Sequence, residues 1–338
     1  MMSRDFMNGV SIQPNEQLNR MKDAGVEWLR IGVPFPFEGK VGRVSPQFRT
    51  FAEQARDWHQ MGFKVMGVSP CPRDFMNVGG VGVPGGPLFL NAYEEGCRFM
   101  AQELVDMVPA WQIANELNLE VFSMPLTTED AITYARRGGI GLRRGNPSAF
   151  IGVNMAGFWG SGLSMYEILY SGQDVELDYA GVDLYFGSFE PGGPEDFRET
   201  LRILNEKTGK PIIVQECGYG STGETMNEEE QEENRKLVEG GRWQDWFDYP
   251  HQARKWGYCW RDRTPETQAA YLEQTYEILL GMPDVIGAFW CTWADTEWCF
   301  YCGEPGCTWT ELGLVDVKGE PKPAYHALAR IAGTLRRA

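Results

Sequence analysis

Short apolar runs alternate along the chain with amphipathic stretches, and this alternation predicts strands and helices in regular succession. The runs at 28–33, 64–68 and 285–290 are rich in β-branched residues and almost continuously hydrophobic. Such runs are typical of parallel strands that are covered on both faces. Eight strands are predicted, over residues 7–11, 27–33, 64–69, 110–114, 150–154, 179–185, 211–215 and 285–290.

Helices are predicted between these strands and after the last one. Their spans are 14–24, 46–61, 91–107, 127–144, 163–171, 194–207, 264–281 and 323–336. Thr127 precedes acidic residues in a helix N-terminal pattern, and Pro265 suits a first helical position. Eight strand–helix units in 338 residues predict an α/β fold, a (β/α)₈ TIM barrel that forms one catalytic domain over 1–338. An open doubly wound sheet is the alternative.

Candidate chemistry is expected at the carboxyl ends of the strands, where TIM barrels hold their active sites. Glu116 follows the fourth strand and Glu216 follows the seventh. Two carboxylates across a barrel mouth are what glycoside hydrolysis needs: one protonates the leaving oxygen, and the other attacks the anomeric carbon or activates water. The other polar or aromatic residues near strand ends are Arg30, Asn115, Asn154, Asp183, Tyr185, Trp290 and Trp293. Asn154 and Asp183 could equally be hydrogen-bonded polar groups inside the barrel.

Five segments resemble the clan A glycoside hydrolases, which are retaining (β/α)₈-barrel β-glycosidases of the cellulase and mannanase type. Four match motifs of the clan: WQIANELN (111–118), PIIVQECGYGS (211–221), GAFWCTWAD (287–295) and GLVDVKGEPKPAYHAL (313–328). The fifth, NGVSIQP…MKDAGVEWLRIGV (8–33), resembles the opening of many cellulase-like and mannanase-like members. The resemblance covers the chain at the level of the barrel and does not select one family within the clan. The chain departs from the motifs of the clan at two positions. The clan often has a histidine just before the tyrosine of the sixth strand, whereas none precedes Tyr185 here, and Leu117 stands where the clan commonly has proline.

The resemblance implies a role for each matching residue. Glu116 would be the acid/base and Glu216 the nucleophile of a double displacement. Asn115 would bind the sugar 2-hydroxyl, and Tyr185 and Arg30 would hydrogen-bond Glu216. The platform under the reacting sugar would be Trp293 or, as the second choice, Trp290. No cofactor would be required for catalysis.

Eight of the twelve tryptophans lie after position 240. Trp243, Trp246 and Trp260 lie in the long stretch 218–263 before the eighth strand. This stretch is predicted to be irregular and functional, apart from a solvated helix start at the acidic run 228–233. Trp298 and Trp309 lie in the long loop that follows that strand. Aromatic faces stack on the C–H faces of sugars, so these residues are candidates for substrate contacts. Ordinary core packing is the alternative.

Cys299, Cys302 and Cys307 form a cluster in the loop after the eighth strand, and Cys259 could complete a set of four. Four thiolates would suit a structural zinc ion. A disulfide such as Cys302–Cys307, or reduced thiols that bind no metal, are equally open from spacing alone. Either cross-link would brace the loop and would take no part in the chemistry.

The net charge of −16 argues against nucleic acid and anionic membranes as partners, since both need a basic face. A carbohydrate substrate is indifferent to this charge, and the oligomeric state is open. Three histidines make a histidine-rich metal site unexpected. The stretch 80–85 matches G-x-G-x-x-G formally, but prolines interrupt it, and a dinucleotide site is not expected.

No secretory signal or membrane span is evident in the chain as given. We therefore expect a protein that is cytoplasmic, or secreted with its signal removed. The alternative to an enzyme is a non-catalytic carbohydrate-binding TIM barrel. A metal-dependent lyase or aldolase is disfavoured, because no lysine and no compact carboxylate triad stand at the strand ends.

Overall fold

Eight parallel strands close into a barrel in the computed structural model, which describes residues 6–12, 17–172, 175–239, 254–299 and 302–336. The barrel order is β1-β10-β7-β6-β5-β4-β3-β2, so consecutive barrel strands are neighbours. The predicted TIM barrel is confirmed, and the open-sheet alternative is wrong. The barrel strands are β1 (Met7–Ser11), β2 (Trp28–Gly32), β3 (Lys64–Val68), β4 (Ala110–Ile113), β5 (Phe150–Ala156), β6 (Tyr179–Leu184), β7 (Ile212–Cys217) and β10 (Val285–Trp290).

The described helices follow the predicted order. They are α1 (Leu18–Asp23), α2 (Pro46–Gln60), α3 (Pro87–Glu103), α4 (Glu120–Ser123), α5 (Thr128–Gly145), α6 (Gly162–Ser171), α7 (Phe197–Thr208), α8 (Glu228–Glu239), α9 (Pro265–Gly281) and α10 (Pro323–Leu335). Helix α3 begins four residues before the predicted 91, because Gly86 is its N-cap and Pro87 occupies its first turn. No helix of the described residues is long and apolar enough to cross a membrane.

The stretch 218–263 is not wholly irregular, which corrects the prediction. It contains β8 (Glu224–Thr225), helix α8 and β9 (Lys255–Trp256), and β8 pairs with β9 in a small parallel sheet. The acidic run that begins at Glu228 supplies the first turn of α8. Acidic residues at a helix N-terminus interact favourably with the helix dipole.

The chain divides into two compact units. The first comprises Met1–Glu27, Leu184–Arg202 and Val214–Ala338, and the second comprises Trp28–Asp183 and Ile203–Ile213. The prediction of one catalytic domain over 1–338 stays a prediction.

In the second unit, an aromatic stack supports the segment that follows β3. The rings of Tyr93 and Tyr134 lie 3.7 Å apart between centroids and are almost parallel. The Tyr134 hydroxyl donates to the Pro70 carbonyl, and the Tyr93 hydroxyl lies 2.7 Å from Ser69 Oγ. Buried tyrosines that reach backbone or hydroxyl partners combine packing with orientation, and here they fix the end of β3.

In the first unit, the loop after β10 is tied to the start of α10 by a buried ion pair. Lys322 Nζ lies 2.9 and 3.0 Å from the two oxygens of Asp295, and both side chains are less than 10% exposed. The Gly313 N–H donates to the same carboxylate at 2.7 Å. The Asp295 carboxylate therefore holds two later segments of the chain, at Gly313 and at Lys322.

Candidate active site

The chain around Glu116 adopts an uncommon backbone conformation directly after β4. Ala114 has a φ of +51° and Glu116 a φ of +42°, values that residues with a side chain rarely adopt. The Ala114 N–H donates to Ser69 Oγ at 2.9 Å, and the Glu116 N–H donates to Asn154 Oδ1 at 3.1 Å. Groups on both neighbouring strands therefore hold this turn. Strained backbone of this kind clusters at functional sites.

A buried polar network lies beneath Glu116. Arg30 Nε donates to Gln112 Oε1 and Arg30 Nη2 to Asn115 Oδ1, both at 2.7 Å. Gln112 Nε2 donates to Asn154 Oδ1 at 2.8 Å, and Asn154 Nδ2 donates to Asp183 Oδ2. Four barrel strands thus meet in one network. Asn154 and Asp183 bond to each other inside it, as buried polar groups must bond to some partner.

Gln112 is a site residue that the sequence analysis missed. It is completely buried in β4, and its amide bridges Arg30 to Asn154. The sequence carries a signal for this role, because Gln112 is an uncharged polar residue in an otherwise apolar strand, between Trp111 and Ile113. Such a residue must find a hydrogen-bond partner within the barrel.

The network also orients Asn115 toward Glu116. Asn115 Oδ1 accepts from Arg30 and, at 3.3 Å, from Asn154. Its Nδ2 therefore points to the other side, where it lies 3.4 Å from Glu116 Oε2. The half-buried pair Asn115–Glu116 presents an amide donor and a carboxyl group side by side.

Glu216, at the end of β7, is bound by Tyr185. The Tyr185 hydroxyl donates to Glu216 Oε2 at 2.6 Å, so the predicted hydrogen bond is present. Tyr185 itself is only 6% exposed, because it packs with Trp256, Cys291 and Leu312. A ring immobilised in this way holds its hydroxyl, and hence the carboxylate, in one place. The predicted bond between Arg30 and Glu216 stays a prediction.

Two partly exposed aromatic rings stand next to Tyr185. Phe189 and Trp309 stack with 4.6 Å between centroids at an angle of 22°. Each also meets the Tyr185 ring at a steep angle, at 5.4 and 6.1 Å. Trp309 was among the predicted sugar-contacting residues. Phe189 was missed, although an aromatic residue four positions beyond a strand-end tyrosine was a visible signal.

Trp290 and Trp293 are completely buried, and this burial contradicts their predicted role as a sugar platform. Trp290 Nε1 donates to the Leu312 carbonyl at 2.9 Å, and the Trp293 ring packs edge-on against Tyr325. A platform must expose one ring face to the sugar, and neither indole does so. Both are core residues.

Of the other predicted tryptophans, Trp298 is exposed and its substrate contact stays a prediction, and the remaining three fall into two groups. Trp260 is half-buried, lies against the backbone of Gly187 and Gly193, and carries the Arg261 guanidinium 4.0 Å above its ring. Trp243 and Trp246 lie outside the described residues. The substrate-binding roles of these three residues stay predictions.

One thiol near Glu116 is excluded as a nucleophile. Cys71 Sγ lies 4.0 Å from the Asn115 carbonyl oxygen. Burial, with a further contribution from the charge of Asp74, raises the pKa of Cys71 to about 12. The thiol is therefore protonated at neutral pH, and only a thiolate attacks effectively.

The cysteine cluster forms with three of its four predicted members. The sulfur atoms of Cys299, Cys302 and Cys307 lie within 4.8 Å of one another. Cys259 is not in this group, and its sulfur donates instead to the Arg261 carbonyl. The predicted set of four is therefore corrected to three. All eight cysteines lie in the described part of the chain, and no disulfide joins any of them.

No family model and no curated protein matches the chain. Solved structures do match. A family 39 glycoside hydrolase from Bacteroides cellulosilyticus aligns over 98% of this chain with a TM-score of 0.65 and 17% identity. The family 53 catalytic domain of Ignisphaera aggregans aligns over 97% with a TM-score of 0.66 and 18% identity. A glucosidase from Croceicoccus marinus aligns over 98% with a TM-score of 0.65 and 14% identity.

These identities show a shared fold. The chain spans 64%, 96% and 68% of the three proteins, respectively. It resembles the family 53 domain along almost its whole length and corresponds to about two thirds of the other two. All three are glycoside hydrolases by description, and all share the barrel architecture seen here.

Proposed function

We propose that the protein is a retaining glycoside hydrolase that cleaves β-glycosidic bonds of a poly- or oligosaccharide. The observation that carries the proposal is that two half-buried glutamates lie at the ends of barrel strands, Glu116 just after β4 and Glu216 at the end of β7, and that hydrogen bonds hold each of them. Parallel strands direct their carboxyl ends to the same end of a barrel, where TIM-barrel enzymes carry out their chemistry. The glycoside hydrolases among the structural neighbours support the coarser part of the proposal, glycosidase activity in general.

The two carboxyl groups have different tasks. Glu116 gives its proton to the glycosidic oxygen while the bond from that oxygen to the anomeric carbon breaks, and Glu216 forms a bond to that carbon. The Glu116 carboxylate then takes a proton from water, whose oxygen displaces Glu216 from the sugar. The Tyr185 hydroxyl, which donates to Glu216, keeps the nucleophile oriented and stabilises its negative charge.

Neighbouring groups bind the sugar. Asn115 Nδ2, directed by the bonds that its oxygen accepts, would donate to the 2-hydroxyl, a contact that strengthens in the transition state. Phe189 and Trp309, partly exposed beside Tyr185, replace the buried indoles as the proposed stacking surface. Arg30 and Gln112 act beneath the surface by fixing Asn115 and Asn154.

The proposal is tested by a screen of aryl β-glycosides and polysaccharides, followed by variants assayed on the best substrate. We expect Glu116→Gln and Glu216→Ala each to lower kcat by on the order of 10³-fold or more, since each loses a covalent or acid/base step. Proton NMR of the first product should show the β-anomer, as retention requires. Glu120→Gln is the matched control, because Glu120 is exposed and only four residues from Glu116.

Three results would decide against parts of the proposal. Full activity in either glutamate variant would remove the catalytic pair. An α-anomer as the first product would make the enzyme inverting and Glu216 a general base. Saccharide binding by the wild-type protein without any turnover would favour the carbohydrate-binding barrel.

A further inference from the structure

The loop that follows β10 brings together Cys299, Cys302 and Cys307, here called the thiol cluster. All three sulfurs lie within 4.8 Å of one another. Cys299 and Cys307 are 3% and 1% exposed, whereas Cys302 is exposed. A tetrahedral zinc site with Zn–S bonds of about 2.3 Å places its sulfurs about 3.8 Å apart. The observed spacing therefore needs at most about 1 Å of closure to accept such an ion.

Two backbone hydrogen bonds connect Cys299 with residues that follow it in the loop. The Cys299 N–H donates to the Glu304 carbonyl and the Gly303 N–H to the Cys299 carbonyl, both at 2.9 Å. Gly303 and Gly306 have φ values of +70° and +69°, which glycine adopts without strain. Both glycines lie between Cys302 and Cys307. The described part of the loop that brings the three sulfurs together is therefore supported by backbone hydrogen bonds and by glycines at positions that favour them.

The donor set selects the class of ligand. Three thiolates suit soft or borderline metals such as Zn²⁺, whereas Mg²⁺ and Ca²⁺ prefer oxygen donors. Among the described residues, no histidine, aspartate or glutamate joins the three sulfurs in the same group. The exposed position of Cys302 leaves room for water as a fourth ligand.

The thiol cluster is connected to the wall of the candidate active site through a short path. Cys307 is the N-cap of a 3₁₀ turn, Thr308–Thr310, which contains Trp309. The Thr310 hydroxyl and N–H both donate to the Cys307 carbonyl. Trp309 stacks on Phe189 and meets the ring of Tyr185. A cross-link at Cys307 would therefore restrict the segment that places Trp309.

We propose that the thiol cluster binds one Zn²⁺ ion through Cys299, Cys302 and Cys307, with a fourth position open to water, and that this ion anchors the segment that carries Trp309. The ion plays a structural role and takes no part in bond cleavage. Binding replaces the thiol protons by the metal, so it releases protons and favours the folded loop. The site is independent of the proposed glycosidase activity and can be tested without a substrate.

The test uses Co²⁺ and Zn²⁺ on the full chain, reduced with a phosphine and stripped with a chelator. We expect one Co²⁺ per chain, with a thiolate-to-cobalt charge-transfer absorption in the near ultraviolet that Zn²⁺ abolishes by displacement. Cys307→Ser and Cys302→Ser should each lower the absorption and weaken Zn²⁺ binding at least tenfold. Cys259→Ser is the control, because its exposed sulfur lies outside the cluster, and it should bind both metals as the wild type does.

Thermal unfolding gives a second readout. Excess Zn²⁺ should raise the Tm of the wild type and of Cys259→Ser by at least about 3 °C by mass action. It should leave Cys302→Ser unchanged. Cys302 is exposed, so its serine variant is expected to fold, which far-ultraviolet circular dichroism checks. Absence of cobalt absorption in the wild type, equal loss in Cys259→Ser, or an intact mass two hydrogens lower in the presence of Zn²⁺, which marks a disulfide, would each overturn the proposal.

Discussion

The hydrogen bond between Tyr185 and Glu216 links a tightly packed side chain directly to the proposed nucleophile. The 2.6 Å distance is typical of a hydroxyl that donates to a carboxylate. The tyrosine ring packs in one cluster with Trp256, Cys291 and Leu312, and Phe189 and Trp309 pack against this cluster. The hydroxyl can therefore be removed while the ring stays in place, which separates its electrostatic role from its packing role.

Tyr185→Phe should lower kcat by about 10–100-fold, since a hydrogen bond to a charged group contributes about 1.5–3 kcal/mol. The Tm should change little, because the phenylalanine ring still fills the cluster. Steady-state kinetics on the best substrate of the screen, with calorimetry, measure both effects. Tyr325→Phe is the matched control, because its hydroxyl donates to a backbone carbonyl, that of Arg20, at 3.2 Å. Equal kinetics for wild type and Tyr185→Phe would show that the bond does not serve catalysis.

At this scale the sequence indicates residue types at strand ends better than it indicates their exposure. The positions of Glu116, Asn115, Tyr185 and Glu216 could be predicted, because short motifs follow recognisable strands. The burial of Trp293 could not, since a tryptophan after a strand can turn toward a substrate or toward the core. That choice depends on contacts with distant residues such as Tyr325.

Close packing of α3 against α5 is the element-scale feature that depends most on glycine. A Cβ atom at Gly141 would lie 2.3 Å from the Glu94 carbonyl oxygen, and one at Gly145 would lie 2.1 Å from that of Arg98. The two glycines are four residues apart and so share one helix face. Both obstacles are backbone atoms, which cannot move away without shifting α3.

Gly141→Ala should therefore destabilise the protein by about 1–3 kcal/mol through overpacking. We expect this net loss of stability even though the intrinsic helix propensity of alanine is more favourable than that of glycine by about 1 kcal/mol. Denaturant unfolding monitored by circular dichroism measures the difference. Gly281→Ala, in α9, is the control because a Cβ there meets nothing within 4 Å. An equal or higher stability for Gly141→Ala would mean that the two helices separate easily.

The buried pair Asp295–Lys322, which links the loop after β10 to α10, makes stability depend on pH. Burial raises the pKa of Asp295 from its ordinary 3.8 to about 6, and Lys322 opposes this rise. Folding therefore takes up a proton between these two values. The stability gained from the protonated carboxyl is complete below about pH 3.8 and is lost as the pH rises through about 6.

Lys322→Met should destabilise the protein by about 3–5 kcal/mol at pH 8, because it leaves a buried carboxylate without its cation. The loss should be at least about 1 kcal/mol smaller at pH 5, where the carboxyl takes up a proton and needs no partner. Urea unfolding at both pH values measures this difference. The double variant Asp295→Asn with Lys322→Met should lose its dependence on pH. A loss that is the same at both pH values in the single variant would show that Asp295 is not the titrating group.

At the scale of the whole molecule, the barrel could be predicted because its strands carry their own signal. Continuous apolar runs, separated by amphipathic helices in eight repeats, are compatible with few other architectures. The span between β7 and β10 could not be predicted as well. Only the start of its polar helix α8, at the acidic run 228–233, could be predicted. Strands β8 and β9 are two residues each, so neither periodicity nor length distinguishes them from loop.

Transition-state mimics should stabilise the whole chain if the proposed site is catalytic. A cationic, ring-shaped iminosugar resembles the oxocarbenium-like transition state, and an enzyme binds such a mimic more tightly than a neutral sugar. At 100 times its Kd, a ligand stabilises the folded state by about 2.7 kcal/mol. With an unfolding entropy of about 2.1 cal/mol/K per residue over 338 residues, this corresponds to a Tm rise of about 4 °C.

Iminosugars of gluco, galacto, manno and xylo configuration, compared by calorimetry at one concentration, should give different shifts, and the largest identifies the sugar that the site accepts. Glu216→Ala should reduce that shift, because the carboxylate facing the cation is gone. Glu120→Gln should keep the full shift, because its side chain is exposed. A different result would favour a carbohydrate-binding barrel: a neutral oligosaccharide stabilises wild type and Glu216→Ala equally, and the cationic ligand stabilises neither of them further. Tighter binding of the charged mimic is what distinguishes catalysis from binding alone.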